Sequence, residues 1–146
     1  MLAAVFGCFF ATADAQVTES LKAIGMENIR CVQTPGMTTV SFENNVYRSS
    51  CTGVGKAIDA CLGSKTKGDL QLVVLENLIP KLCINLPDTL TEAYRNGEIS
   101  LIQVYRQMGI TADTDPAMKV LKNAGREEAP SAWKVDLVVY PDLFLE

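Results

Sequence analysis

Apolar residues first recur at a helical period: Val17, Leu21 and Ile24 stand at i, i+4 and i+7, and Gly25 follows as a stop. The period then shortens to two. Residues 29–33 read as a strand, Thr34-Pro35-Gly36-Met37 as a type II turn, and 38–43 as a second strand with Thr38, Val40 and Phe42 on one face. Ser49, Ser50 and Thr52 are candidate caps for a second helix. That helix carries Val54, Ile58, Cys61 and Leu62 on one face and stops at Gly63. A polar loop over 64–69 leads to an apolar strand over 70–76. A turn over 77–80 and a strand over 81–86 complete the pattern. Helix–strand–strand therefore occurs twice. Two such units predict an α+β fold, a small antiparallel or mixed sheet with helices packed on one face. A short echo accompanies the repeat: Ser41-Phe42-Glu43-Asn44 in one unit and Val74-Leu75-Glu76-Asn77 in the other.

Downstream the pattern is less regular. Residues 88–95 predict a short helix ended by Asn96-Gly97. Residues 98–106 satisfy both periods, and the strand reading is taken, with Ile99, Leu101, Gln103 and Tyr105 on one face. Asp115-Pro116 opens a helix that turns Met118, Val120 and Leu121 inward, since proline suits a first helical position. A polar linker is expected over 126–132. Beyond it, 133–146 forms a terminal strand with Trp133, Val135, Leu137 and Val139 on one face and Lys134, Asp136, Val138 and Tyr140 on the other. Aromatics near both ends of such a strand fit a transmembrane β-strand. An ordinary amphipathic strand is the simpler reading.

The N-terminus adds an address. An apolar and small-residue run over 2–12 precedes Ala13-Asp14-Ala15, an A-x-A cleavage pattern before Gln16. Residues 1–15 therefore read as a signal peptide, and 16–125 as an exported α+β domain. The run is too short for a membrane-spanning helix, which needs about 20 apolar residues. The net charge of −4, with both signs interspersed, offers no basic stripe for nucleic acid. Lys65 and Lys67 sit in a loop and read as solvated charge.

The chain contains no histidine. Nucleophile–imidazole pairs and histidine-containing zinc sites are thereby excluded. With Cys8 in the expected leader, Cys31, Cys51, Cys61 and Cys83 remain. Cys51 and Cys61 on one helix would stand about 15 Å apart by helical rise, beyond disulfide reach. Cys31 and Cys83 fall on expected strands and can pair if those strands are neighbours. The alternative is four small buried hydrophobes. Thr52-Gly53-Val54-Gly55-Lys56-Ala57 has part of a phosphate-loop pattern but lacks its first glycine and its hydroxyl residue after lysine. Glu127-Glu128 and Asp113 with Asp115 are paired carboxylates in loop-like stretches, which gives no glycosidase geometry. No catalytic residue, metal ligand or cofactor is assigned.

Phe42-Glu43-Asn44-Asn45-Val46-Tyr47-Arg48 is the segment with binding character. Arginine meets anionic groups bidentately and tyrosine offers a flat face to a sugar ring, so Asn44, Tyr47 and Arg48 are the candidate binding residues. The structural alternative is a turn with Tyr47 packed under the sheet and Arg48 paired with a local carboxylate. Together with Met26-Glu27-Asn28-Ile29-Arg30 and Lys134-Val135-Asp136-Leu137-Val138-Val139-Tyr140-Pro141, this segment resembles the membrane-proximal region of YjbH-type outer-membrane proteins, in the form found in Bacteroidetes-like bacteria. The resemblance implies a role in exopolysaccharide production or export, with a small α/β region placed before an outer-membrane β-barrel. Residues 133–146 would then enter the first barrel strand, with the rest of the barrel missing from this chain. The expected function is a non-enzymatic periplasmic module, with polysaccharide or a cell-envelope protein as partner. One alternative is a secreted α+β binding or inhibitor-like domain complete at Glu146. The other is a secreted enzyme without histidine chemistry, whose signature would be a reactive Cys51 thiolate near a helix N-terminus.

Overall fold

The computed structural model describes residues 13–124, 127 and 128. Its elements run α1 (Ala13–Ala23), β1 (Glu27–Thr34), β2 (Met37–Glu43), α2 (Ser50–Gly63), β3 (Asp69–Glu76), β4 (Ile79–Leu86), α3 (Asp88–Arg95), α4 (Leu101–Gln107), β5 (Gly109–Thr111), α5 (Asp115–Ala124) and β6 (Glu127–Glu128). The strands form one sheet in the order β5-β4-β3-β2-β1-β6. β1–β2 and β3–β4 are antiparallel hairpins, whereas β2 and β3 run parallel, with Phe42 opposite Val74 and Glu43 opposite Leu75. The fold is α+β with a mixed sheet, and the two helix–strand–strand units share that sheet.

Period-two alternation sorts the strand residues onto two faces. Ile29, Val40, Phe42, Leu72 and Ile84 face the main core, where Val17 and Leu21 of α1, Ile58 and Leu62 of α2, Leu90 of α3 and Val104 of α4 cover them. Four helices thus lie on one face, as the pattern predicts. The fifth lies on the other: Ala117 and Leu121 of α5 pack on Val32, Val73, Leu75 and Cys83. The sheet interior is buried on both sides, which explains why β3 reads as an unbroken apolar run rather than an alternating one.

Three expectations change. Residues 98–106 contain a helix, not a strand. The Ser100 hydroxyl accepts from the Gln103 N–H while the Gln103 side chain accepts from the Ser100 N–H, a reciprocal capping box that opens α4. The strand in that region is β5, which pairs with the Cys83–Asn85 stretch of β4. Glu127 and Glu128, expected in a linker, form β6 against Arg30 and Ile29. The condition for a Cys31–Cys83 bridge is not met, because β2 and β3 separate their strands and the two residues belong to opposite faces. Cys51 and Cys61 do share one helix, and Cys51, Cys61 and Cys83 are free thiols.

Local chemistry secures the rest. β4 begins at Ile79, earlier than expected, because Asn77 and Leu78 both take positive φ (51° and 64°) in a two-residue hairpin turn closed by Glu76 and Ile79. Gly36 takes the positive φ its turn requires, and its carbonyl accepts from the Asp69 N–H at 2.9 Å. Gly68, also at positive φ, sits so close that a Cβ there would lie 2.4 Å from that carbonyl oxygen. Arg95 fixes the loop after α2 by donating to the Leu62 carbonyl (3.1 Å), the Thr66 carbonyl (2.7 Å) and the Thr66 hydroxyl (3.0 Å). Lys65 and Lys67 in the same loop are exposed.

Ala13–Ala15 form the first turn of α1, so the expected cleavage junction lies at that helix start, while 1–12 lie outside the described residues. The helix residues that pack, Val17 and Leu21, follow the junction. Residues 133–146 also lie outside the described residues. Among the described residues, no helix is long and apolar enough to cross a membrane.

Candidate functional site

β2 and β3 are the parallel pair of the sheet, and α2 is the crossover that joins them. Their carboxyl ends leave a crevice because the chain departs over the sheet from one strand and into a hairpin from the other. The N-terminus of α2 and the two strand ends converge there. A cleft of about 380 Å³ occupies it. Glu43, Asn44 and Asn45 form one wall, Glu76, Asn77 and Lys81 another, and Ser50 and Val54 of α2 complete it. The volume is within the range of small-molecule sites, roughly 300–1,000 Å³.

Glu43 anchors the floor. It is 5% exposed, and its carboxylate accepts from the Asn28 side-chain amide and from the Asn77 N–H at 2.5 Å. Asn28 takes positive φ (52°) where the β1–β2 register shifts between Glu27 and Arg30. One buried carboxylate therefore ties the β1 irregularity to the β3–β4 turn. Hydrogen bonding of this kind is what makes a buried charge tolerable. On the rim, the Lys81 ammonium stands 3.6 Å from the Glu76 carboxylate. The cleft holds two carboxylates and one ammonium, so its charge balance disfavours an anion. Amide and hydroxyl groups supply the remaining polarity.

Each residue of the predicted patch has a distinct position. Asn44 lines the cleft, but its side chain is committed to a turn. Its Oδ1 accepts from the N–H groups of Val46 (3.3 Å) and Tyr47 (2.9 Å), and its Nδ2 donates to the Tyr47 carbonyl (2.9 Å). Tyr47 is half-buried and packs against the main core, as the structural alternative expected. Arg48 is exposed and does not line the cleft. Asn45 extends the polar rim, with its Nδ2 donating to Glu27 at 2.7 Å.

Glu43, Asn77 and Lys81 were not singled out from the sequence as binding residues. A signal for the first two existed in the echoed Glu-Asn pairs. Parallel pairing brings Glu43-Asn44 and Glu76-Asn77 to the same end of the sheet. The echo is not a matching register, because Glu43 lies opposite Leu75 and is buried, whereas Glu76 is exposed.

The glycines of the phosphate-loop-like motif serve packing. Residues 52–57 lie inside α2, not in a loop feeding it, and Ser49 supplies the cap. Gly53 lies under the Asn44 carboxamide, and a Cβ there would meet Asn44 Nδ2 at 2.3 Å. The Gly55 carbonyl accepts from the Tyr105 hydroxyl at 3.3 Å.

A second depression shares Ser50, Val54 and Leu82 with the polar cleft and continues along α2. It holds about 340 Å³ and is walled by Cys51, Ile58, Tyr105 and Met108. Burial, reinforced by the Asp59 charge, raises the pKa of the Tyr105 phenol. Cys51 is exposed in the first turn of α2. Cys61, one helix face away, is fully buried, and that burial, with the neighbouring Cys31, pushes its thiol pKa far up. Among the described residues, no group of three cysteine or carboxylate side chains is placed to hold a metal ion.

No family model, curated protein or solved structure matches this chain.

Proposed function

We propose that this chain is a non-enzymatic periplasmic module of an outer-membrane protein linked to exopolysaccharide production or export. Its contact with the polymer would be the cleft at the carboxyl ends of β2 and β3. The observation that carries the reading is the chemistry of that cleft. Amides and a hydroxyl from Asn45, Asn77 and Ser50 stand beside two carboxylates and one ammonium, a composition that disfavours anions and suits the hydroxyl groups of an uncharged sugar. The leader-like N-terminus, the absence of histidine and the resemblance in residues 26–30, 42–48 and 134–141 support the same reading.

The test is calorimetric titration of the protein with neutral oligosaccharides released from the envelope polysaccharide of its source. Asn77→Gly, which suits the positive φ of that position, and Ser50→Ala should each weaken binding several-fold, and together at least tenfold, with little change in the urea unfolding midpoint. Binding that survives the double substitution would remove the cleft from the proposal. A secreted α+β binding or inhibitor-like domain is the competing reading. It requires Val135, Leu137 and Val139 to pair into the domain's own sheet, and these lie outside the described residues. The enzyme alternative requires a reactive Cys51, and a thiol inert to iodoacetamide near neutral pH would count against it.

A further inference from the structure

The polar cleft and the apolar depression meet on one helix. Ser50 and Val54 of α2 and Leu82 of β4 line both, so the two adjoin along that helix, with Glu43 and Asn77 in one and Ile58 and Met108 in the other. From Ser50 to Ile58 the helix rises about 12 Å, which gives the apolar part the length of a short alkyl chain. Each part falls within the size range of a ligand subsite. The polar part carries two carboxylates and one ammonium. The apolar part has no charged residue among its walls, and the Tyr105 hydroxyl beside it is turned to the Gly55 carbonyl.

We infer that this composite groove takes an amphiphile: an uncharged, hydroxyl-rich head in the cleft and an alkyl or aryl portion along α2. Charge selects the head. An anionic head would meet Glu43 and Glu76 with only Lys81 to offset them, whereas sugar hydroxyls can bond to amides and carboxylates alike. Hydrophobic burial selects the tail, because Val54, Ile58, Leu82 and Met108 offer contact area without a polar demand. The inference rests on the cleft being the sugar contact proposed above and narrows the ligand to a sugar bearing an apolar substituent.

The experiment titrates the full chain with n-octyl β-D-glucoside below its micelle concentration, with glucose and with octanoate, by calorimetry and amide chemical shifts. The glucoside should bind at least tenfold more tightly than either glucose or octanoate, shifting amides from Asn77 through Ile58. Met108→Gln and, separately, Cys51→Asp, at residues that line the apolar part alone, should reduce that advantage at least fivefold while leaving the response to glucose unchanged. An unfolding midpoint within error of the parent for either variant makes its result decisive. Equal affinity for glucose and octyl glucoside overturns the inference and leaves the glycan-contact reading standing. Equal affinity for octanoate overturns the assignment of the head. Tight glucoside binding with no affinity for the envelope oligosaccharides upholds the amphiphile and removes the export reading instead.

Discussion

Replacing Gly53 by alanine probes the joint between the sheet and α2 that shapes the cleft. In an ordinary helix the change is favourable by about 0.5–1 kcal/mol, because alanine loses less backbone entropy. Here the new Cβ would lie 2.3 Å from Asn44 Nδ2, 2.4 Å from its Cγ and 2.9 Å from its Oδ1. The carboxamide must move, and it makes three hydrogen bonds that close the turn over 44–47. At about 1 kcal/mol net for each bond, their loss outweighs the helix gain and leaves a cost of about 2 kcal/mol. With a urea slope of about 1–3 kcal/mol per M, the unfolding midpoint should fall by roughly 1 M. Two controls isolate the cause. Gly63→Ala, where nothing lies within 4 Å of the added atom, should be neutral or stabilising. In an Asn44→Ala background, Gly53→Ala should also become neutral or stabilising, since the three nearest atoms all belong to the Asn44 side chain. Equal destabilisation in both backgrounds would refute the contact, and a neutral effect in the parent would refute the turn's contribution.

Other expectations are simpler. Leu78 holds φ at 64° while 65% exposed, so Leu78→Gly should raise stability by about 1 kcal/mol in urea unfolding. The Thr38 hydroxyl is buried without a partner among the described residues, and Thr38→Val should gain about 1 kcal/mol by removing that desolvated group. Tyr47→Ala should cost about 2 kcal/mol through lost packing, whereas exposed Arg48→Ala should stay within about 0.5 kcal/mol. A reversal would return Tyr47 to the surface. The Cys61 thiol pKa is raised in the folded state, so its stabilising contribution is complete below the ordinary thiol value of 9.0 and is lost as pH rises above it. Unfolding followed across pH 8–11 should show stability falling by up to about 1.4 kcal/mol per unit above that value from this group. Cys61→Ala should flatten the slope.

The helix–strand–strand order was legible because its signals are local. Val17 and Leu21 mark α1, Gly25 and Gly36 punctuate it and the first hairpin, and Val54, Ile58 and Leu62 mark α2. Residues 98–106 misled because their apolar residues fit both periods, and the deciding signal was a capping box, Ser100 with Gln103, rather than periodicity. Sheet order was not legible at all. Nothing local says that β2 should lie beside β3 in parallel, and that single non-local choice separates Cys31 from Cys83 and creates the cleft. Arg95 was equally silent, since its three acceptors lie 29 and 33 residues away in sequence.

The same non-local pairing explains why the predicted patch was close to the site yet incomplete. Sequence reasoning favours residues whose side chains are versatile, and so singled out Asn44, Tyr47 and Arg48. The fold spends two of these on structure: Asn44 closes a turn over Gly53, and Tyr47 packs into the core. What remains available around the cleft comes from chain segments more than 25 residues apart, Ser50 on one side and Asn77 with Lys81 on the other. Glu43 links them, because the residue that accepts from Asn28 also accepts from the Asn77 N–H. Glu43→Ala would remove the acceptor shared by the Asn28 amide and the Asn77 N–H, at a cost of about 2 kcal/mol or more. Its effect should extend beyond stability, since the Asn77 turn would lose the bond that sets it against β2. If the substitution unfolds the protein more easily but leaves glycan affinity intact, Glu43 serves the fold alone. A loss of affinity in protein that remains folded would show that the β3–β4 turn is held in place for the ligand.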